Sequence, residues 1–397
     1  MSSAKLITPH YKQTVQRVHA NDAKYILAIQ DQMRLNFTSH KAKSDLGTIG
    51  RTGKTIQYGL IQHSVLAVTE RNEPLGLLDV NYFDYSDIDT STDRGERKVE
   101  DKANIFWINA LNKMRARLGE TQKKIITMAD REGDFYEFLF ALIKNEEEFV
   151  IRSKHNRILG ETYKRKGEKL RELLDKSPIK GCMQVEIQDV NSREIKEITL
   201  HLQAVLITLP VPEMPGDYKE EKGYTSITLN VVKAYDDKHE WIILTSLPID
   251  TSEQIKEIVT IYKSRWHIED YHKVLKTGYQ VDEIYLHSSK EAIKNLLVLS
   301  SISACRLYWL IYIGRTEASI KADKLFEEFE WKAIYVYFNE PIPVECPSIA
   351  EVMLQIARLG GYKANRHAGP PGIKSIWIGY QQLTVAAQVY RNMSRRT

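Results

Sequence analysis

The sequence predicts a mixed α/β fold in which short buried strands alternate with amphipathic helices. Two apolar runs of equal length, Tyr25–Asp31 and Lys124–Asp130, each end in an aspartate. Both runs are too short for a buried helix and are typical of buried strands. A long helix is predicted to begin after Thr251, because Thr251 and Gln254 have the spacing of a capping box, and to end at Gly278.

The other elements follow from hydrophobic periodicity and turn residues. After a polar lead-in over 1–22, three strands are expected, followed by a helix, a strand, a helix and a strand. Their approximate bounds are 24–31, 62–70, 74–83, 102–118, 124–130, 135–144 and 148–154. Between 156 and 239 the segments alternate between polar and apolar residues, which indicates a β-rich insertion. A further helix is expected near 291–313.

The predicted helix before Gly278 carries a charged stripe. At about 100° per residue, the side chains of five residues fall within an arc of roughly 80°. They are Tyr262, Arg265, Glu269, Lys273 and Lys276. A carboxylate flanked by three cations suits a site in which Glu269 holds a metal ion and the cations bind phosphates. The alternative is a solvated ladder of ion pairs, each worth about 0.2–0.5 kcal/mol.

The two aspartates that end the predicted strands are candidates for the same site, since functional groups gather where the strands of open α/β sheets end. Asp31, Asp130 and Glu269, brought together, would repel one another unless cations neutralised them. Two Mg²⁺ ions about 3.5–4 Å apart would do so and would activate a water or hydroxyl for attack at phosphorus. The alternative is that each aspartate caps the next turn or helix.

These residues carry a resemblance to a known family. The segment Asp130-Arg131-Glu132-Gly133-Asp134, followed by Tyr262-x2-Arg265-x3-Glu269-x6-Lys276, resembles the bacterial cut-and-paste transposases of the DDE class. More narrowly, it is similar to the insertion-sequence branch typified by transposon five, from about Tyr25 to near the C-terminus. The resemblance implies an RNase H-like mixed sheet core interrupted by the β-rich insertion, with a helical C-terminal segment. The implied domains are 1–22 (lead-in), 23–155 and 240–315 (the two parts of the core), 156–239 (insertion) and 316–397 (dimerisation).

The resemblance also implies roles for individual residues. Asp31, Asp130 and Glu269 would be the catalytic triad that binds two Mg²⁺ ions, for which Mn²⁺ could substitute. DNA contacts would come from Tyr262, Arg265, Lys273, Lys276, Trp241, Arg152 and Lys154. Trp241 would stack on a base flipped out during hairpin formation. The alternative for Trp241 is an ordinary core aromatic.

The implied activity is metal-dependent cleavage of double-stranded DNA at transposon ends, with a hairpin intermediate and strand transfer into target DNA. The protein would act as a homodimer on DNA in the bacterial cytoplasm, associated with the nucleoid. Two departures are expected. The N-terminal DNA-recognition domain is mostly absent, because the first aspartate is residue 31, and Gln32 and Met33 stand where hydroxyl residues are common. Two alternatives are a truncated regulatory protein that inhibits a full-length partner by dimerisation, and an RNase H-like nuclease without strand transfer.

Composition is compatible with this interpretation and excludes other classes. The chain has 397 residues, 43% hydrophobic and 27% charged, with a net charge of +4. Basic residues are concentrated in 151–180 and in 352–397, the latter without any acidic residue. Three widely spaced cysteines indicate a reducing compartment, and no secretion signal is expected. A zinc-protease site is excluded because His267 and His272 do not share a helix face. Asn295–Gly314 is predicted as a buried helix, not a membrane span.

Overall fold

The computed structural model describes residues 2–39, 45–88, 91, 93, 95–164, 166–188, 195–281, 283, 289–363 and 370–394. The chain divides into two compact units. We call Pro9–Ser39 with Ser44–Ile268 the sheet unit. We call Glu269–Thr397 with Met1–Thr8 the helical unit.

The strands are β1 (Tyr25–Asn36), β2 (Thr48–Thr52), β3 (Thr55–Thr69), β4 (Pro74–Phe83), β5 (Lys124–Ala129), β6 (Glu148–Arg152), β7 (Gly181–Gln188), β8 (Ile195–Leu209), β9 (Ile227–Tyr235) and β10 (Glu240–Thr245). The helices are α1 (Ser3–Ala20), α2 (Ile105–Leu118), α3 (Tyr136–Lys144), α4 (Leu170–Lys176), α5 (Tyr218–Lys222), α6 (Ser252–Lys263), α7 (Trp266–Lys273), α8 (Lys290–Thr316), α9 (Glu328–Tyr337), α10 (Ile349–Leu359) and α11 (Ile373–Ser394).

The described strands form one mixed sheet of ten strands. Strands β4, β3 and β1 are neighbours and run antiparallel, whereas β1, β5 and β6 run parallel. This order, with the helices α2 and α3 between the strands, is consistent with an RNase H-like core and confirms the predicted α/β class. Strands β10, β9, β8 and β7 continue the same sheet in antiparallel pairs. The β-rich segment between 156 and 239 therefore extends the core sheet.

The main hydrophobic core lies between this sheet and the helices α2 and α3. Trp107 and Leu111 of α2 and Phe138 of α3 are at most 2% exposed and pack with apolar strand residues such as Ile26 and Ala28. The rings of Trp107 and Phe138 lie 6.0 Å apart. Burial of a large apolar side chain contributes about 1.5–3 kcal/mol, so this layer holds β1 and β5 in place.

The N-terminal residues form a helix, whereas the sequence predicted only a polar lead-in. Tyr11, Thr14 and Val18 of α1 are buried, and their spacing of three and four residues gives one apolar face. The Tyr11 hydroxyl accepts the Val80 N–H at 2.8 Å, and His10 Nε2 accepts the Leu77 N–H at 3.0 Å. Burial, with the charge of Arg17, lowers the pKa of His10 to about 4, so the ring remains a neutral acceptor at physiological pH. The helix was not predicted because the apolar residues of this segment are few and widely spaced.

The helical unit is built around α8, α10 and α11. A Cβ added to Gly379 of α11 would lie 1.6 Å from the carbonyl oxygen of Ile356, so only glycine permits the close crossing of α10 and α11. Among the described residues, α8 has the length and composition of a helix that could cross a membrane, and 61% of its most apolar window is buried inside the protein. That burial is typical of a core helix, as predicted for Asn295–Gly314.

Candidate active site

Asp31 and Asp130 lie side by side in the sheet unit. The parallel ladder between β1 and β5 ends with the pair Gln30 and Ala129. Asp31 is the next residue of β1, and Asp130 directly follows β5. Neighbouring strands are about 4.8 Å apart, and residues in register on parallel strands point to the same face. The two half-buried carboxylates therefore lie next to each other where the parallel pairing of β1 and β5 ends. The prediction that Asp31 ends its strand is wrong, because β1 continues to Asn36. Asp31 lies where the parallel pairing ends.

Both aspartates also bond to the local backbone. Asp31 Oδ1 accepts the N–H of Gln32 at 2.8 Å. Asp130 Oδ1 accepts the N–H of Glu132 at 2.8 Å and caps the short 3₁₀ turn Arg131–Gly133. The capping role considered for strand-end aspartates is thus present at Asp130. One capped oxygen fixes the orientation of the carboxylate and does not prevent metal binding by the group.

Glu132 adds a third acidic side chain next to Asp130. It is exposed at the surface. Loss of hydration around its carboxyl group and the charge of Asp130 raise the pKa of Glu132, whereas Arg34 and Lys154 oppose the rise. Cations from β1 and from the segment after β6 therefore lie near the turn that follows β5.

Asp134, the last residue of the same motif, has a different environment. Its side chain is completely buried and pairs with Arg157. Its Oδ2 accepts the backbone N–H groups of Lys154 at 2.6 Å and His155 at 3.0 Å. The Arg157 guanidinium also donates to the Asp134 carbonyl oxygen at 2.9 Å. Asp134 therefore anchors the basic segment that follows β6, which includes Lys154.

The predicted single helix from Thr251 to Gly278 is broken, so that prediction is wrong. The capping box of Thr251 and Gln254 is confirmed. The N–H groups of Ser264 and Arg265, however, bond to carbonyl oxygens only three residues back, which tightens the turn between α6 and α7. The last five residues, Val274–Gly278, form a π-helical turn. A constant 100° per residue does not hold across these changes, and the stripe of five residues is not one straight face.

Four predicted DNA-contacting residues nevertheless meet in the sheet unit. The Trp241 ring lies 5.8 Å from the Tyr262 ring at 65°, and the Arg265 guanidinium lies 6.0 Å from the Tyr262 ring. Burial raises the pKa of Tyr262, and the positive charges of Arg265 and Arg152 oppose the rise. Arg152 also donates to the Glu240 carbonyl oxygen at 3.1 Å. The edge-to-face contact with Tyr262 gives Trp241 the aromatic partner expected of a core residue, the alternative considered for it. The stacking of Trp241 on a flipped base stays a prediction.

The other three residues of the charged stripe belong to the helical unit. Glu269 is half-buried, and Lys273 and Lys276 are exposed. Burial raises the pKa of Asp270, next to Glu269, against the opposing charges of Lys273 and Arg315. The helix thus places two exposed cations one turn apart on the C-terminal side of Glu269.

The metal-binding triad stays a prediction. Among the residues that the structure describes, no group of three or more His, Cys, Asp or Glu side chains could hold a metal ion. Asp31 and Asp130 share the sheet unit, whereas Glu269 belongs to the helical unit. The two aspartates by themselves offer the hard oxygen donors that Mg²⁺ prefers.

Sequence reasoning missed a buried polar network behind Asp31. His63 Nε2 lies 3.1 Å from Gln30 Oε1, and His63 Nδ1 lies 3.1 Å from Gln32 Nε2. A neutral imidazole with its proton on Nε2 satisfies both contacts. Because side chains alternate along a strand, Gln32 lies on the face opposite to Asp31. The network braces β1, and only the pairing of β1 with β3 could have revealed it.

Two family models match the chain. Residues 302–396 match the model described as transposase Tn5 dimerisation domain. Residues 172–308 match the model described as archaeal putative transposase ISC1217, of the DDE type. The second range contains Glu269, whereas Asp31 and Asp130 precede both ranges. The two matches support a transposase of the Tn5-like kind that acts on DNA.

Proposed function

We propose that this protein is a metal-dependent transposase that cleaves DNA at transposon ends and transfers the freed 3′ end into target DNA. It would do so as a homodimer, through a hairpin intermediate, on nucleoid DNA in the bacterial cytoplasm. The observation that carries the proposal is the position of Asp31 and Asp130 directly after the last pair of the parallel ladder, Gln30 and Ala129, in a chain that matches transposase families. Two neighbouring carboxylates at the ends of parallel strands offer oxygen donors of the kind that a magnesium-dependent phosphoryl-transfer site uses.

Each candidate residue has a proposed role in this reaction. Asp31 and Asp130, joined by Glu269, would hold Mg²⁺, which when bound polarises the phosphoryl oxygen and lowers the pKa of the attacking water or hydroxyl. Arg265 and Arg152, which lie beside Tyr262, would bind phosphate oxygens next to the bond that breaks. Lys273 and Lys276, both exposed, would bind further phosphates. Trp241 would receive the flipped base.

The test is a cleavage reaction with purified protein and a plasmid that carries the DNA flanking this gene. We expect nicks at two defined positions with Mg²⁺, none with a chelator, and recovery when Mg²⁺ is restored. Denaturing gels would show the hairpin as a product of twice the strand length. A protein that binds this DNA and forms dimers but never cleaves it, and that inhibits a full-length relative when co-expressed, would favour the regulatory alternative.

The proposed dimer has a candidate surface in the range that matches the dimerisation domain. A groove of about 690 Å³ between α9 and α11 is lined mainly by apolar side chains. Val385, Val389 and Met393 of α11 are 67%, 54% and 65% exposed. Apolar side chains repeated along one helix face, and open to this degree, favour an interface with a second copy.

Glutamates at Val385 and Val389 are expected to prevent dimerisation, because two charges would be buried without partners. Light scattering of the protein bound to a DNA end should show two protomers for the wild type and one for the double variant. Gln381→Glu with Gln388→Glu is the matched control, since both glutamines are exposed on α11 and neither lines the groove. Two protomers in the Val385→Glu, Val389→Glu complex would show that another surface is used.

A further inference from the structure

The hairpin formed by β2 and the first residues of β3 projects a positively charged tip. Residues 48–58 contain Arg51 and Lys54 and no acidic residue. Both cations are exposed. Ile56 and Tyr58, at 36% and 44% exposure, are large hydrophobic side chains in contact with solvent. An exposed run that combines cations with an aromatic residue is typical of a nucleic-acid surface.

Three of these side chains share one face of the hairpin. Arg51 is paired with Ile56 and Thr48 with Tyr58 across the ladder, and directly opposed residues point to the same side. Ile56 and Tyr58 are two apart on β3 and also share a side. The hairpin therefore presents a guanidinium, an aliphatic side chain and a phenol ring together.

Strand β3 connects the hairpin tip to Ser64, the partner of Asp31, and the residues between them on this side of the strand, Leu60 and Gln62, are buried. Strand β3 runs without interruption along β1, and Ser64 is paired with Asp31. Tyr58 and Ser64 are six residues apart, an even number, so Tyr58, Ser64 and Asp31 lie on the same face of the sheet. At about 3.4 Å per residue, the aromatic part of the tip lies roughly 20 Å from Asp31 along the strand. The same length corresponds to about six base pairs of duplex DNA.

The hairpin is braced from its base. Gly47 donates its N–H to Asp84 Oδ2 at 2.8 Å, and Phe37 donates its N–H to the Tyr58 carbonyl oxygen at 2.9 Å. Ile49 is completely buried with Ile61 and Phe83 in a small separate core. At the tip, Gly53 adopts a left-handed conformation with φ of 59°. A surface held in this way binds a ligand without first losing conformational entropy.

We propose that this hairpin is a DNA-binding arm, which contacts duplex DNA about half a helical turn from the cleavage position. Arg51 and Lys54 bind backbone phosphates, and Tyr58 packs against the sugar and base edges. The occupant is nucleic acid because the exposed charge is entirely positive and no acidic side chain of the hairpin balances it. The inference rests on the proposed action on DNA and adds a contact that lies outside the carboxylate site and the charged stripe.

The test compares DNA binding by the wild type and by Arg51→Gln, Lys54→Gln over a series of salt concentrations. The probe is a fluorescent duplex that carries the DNA flanking this gene, followed by anisotropy. Loss of two phosphate contacts should make the negative slope of log K against log salt less steep by about 1.8, since each contact contributes about −0.9. The charge-retaining variant Arg51→Lys, Lys54→Arg should keep the wild-type slope.

Two exposed lysines elsewhere in the sheet unit, Lys12 on α1 and Lys219 on α5, provide the matched control. Their replacement by glutamine should leave the slope unchanged. An equal slope for the hairpin variant and the wild type would overturn the inference, as would equal losses in the hairpin and control variants. A wild-type protein that does not bind duplex DNA at any salt concentration would overturn the proposed function together with the inference, and so differs from a failure of the arm alone.

Discussion

Replacing Asp130 with asparagine is expected to slow Mg²⁺-dependent DNA cleavage by on the order of 10³-fold or more, the scale of losing a principal catalytic group, and to leave the protein folded. The charge that would hold the metal ion is lost, while the side-chain oxygen remains to accept the Glu132 N–H. Asparagine is as good a cap as aspartate, so the turn Arg131–Gly133 is retained. Alanine would remove both functions and is less informative.

The same assay should show losses of similar size for Asp31→Asn and Glu269→Gln. Asp237→Asn is the control, because Asp237 is an exposed carboxylate of the sheet unit outside the site. Circular dichroism of each variant establishes that it is folded. Wild-type cleavage rates for Glu269→Gln in Mg²⁺ would contradict the three-carboxylate assignment while leaving the pair of aspartates to be explained.

Asp134→Leu is expected to lower the free energy of unfolding by about 3–5 kcal/mol, the cost of removing one partner of a buried ion pair. Arg157 is only 16% exposed, and it would keep its charge without the carboxylate. The N–H groups of Lys154 and His155 would also lose their acceptor. Denaturation in urea, followed by circular dichroism, measures the change.

The double variant Asp134→Leu, Arg157→Leu separates the ion pair from the backbone contacts. Because the second substitution removes the unpaired charge, the double variant should lose less free energy of unfolding than the two single variants lose together. Strict additivity would mean that the two side chains do not interact in solution. Asp134→Asn retains an acceptor for the backbone and should fall between the wild type and Asp134→Leu.

Much of the fold was predictable because local sequence patterns, the spacing of apolar residues and the turn or capping residues, determine these elements. Strand β1 begins where it was predicted but continues beyond Asp31 to Asn36. Strand β5, the helices α2 and α3, and the long helix α8 were all expected within about three residues of their observed bounds. In each of them the apolar spacing is regular and the ends are marked by turn or capping residues. The capping box at Thr251 was likewise visible, since it depends on residues three apart.

Other features depend on contacts that no local pattern shows. The break at Ser264 falls within an unbroken helical pattern, and α1 has a weak apolar face that is buried only because β4 lies next to it. The place of β7, β8 and β9 in the core sheet depends on hydrogen-bond partners far along the chain. The role of Asp134 depends on Arg157, which is not part of its motif.

The sequence by itself determined which residue types could perform chemistry: aspartates after apolar strands, a glutamate among cations, and a motif that resembles DDE transposases. Only the tertiary structure decided that Asp31 is the neighbour of Asp130, that Asp134 supports the loop instead of the site, and that Arg51 lies on the face of Asp31. The physical reason is register. Side-chain alternation follows from local geometry, whereas which residues of two strands face each other is decided by hydrogen bonds and packing across the whole sheet.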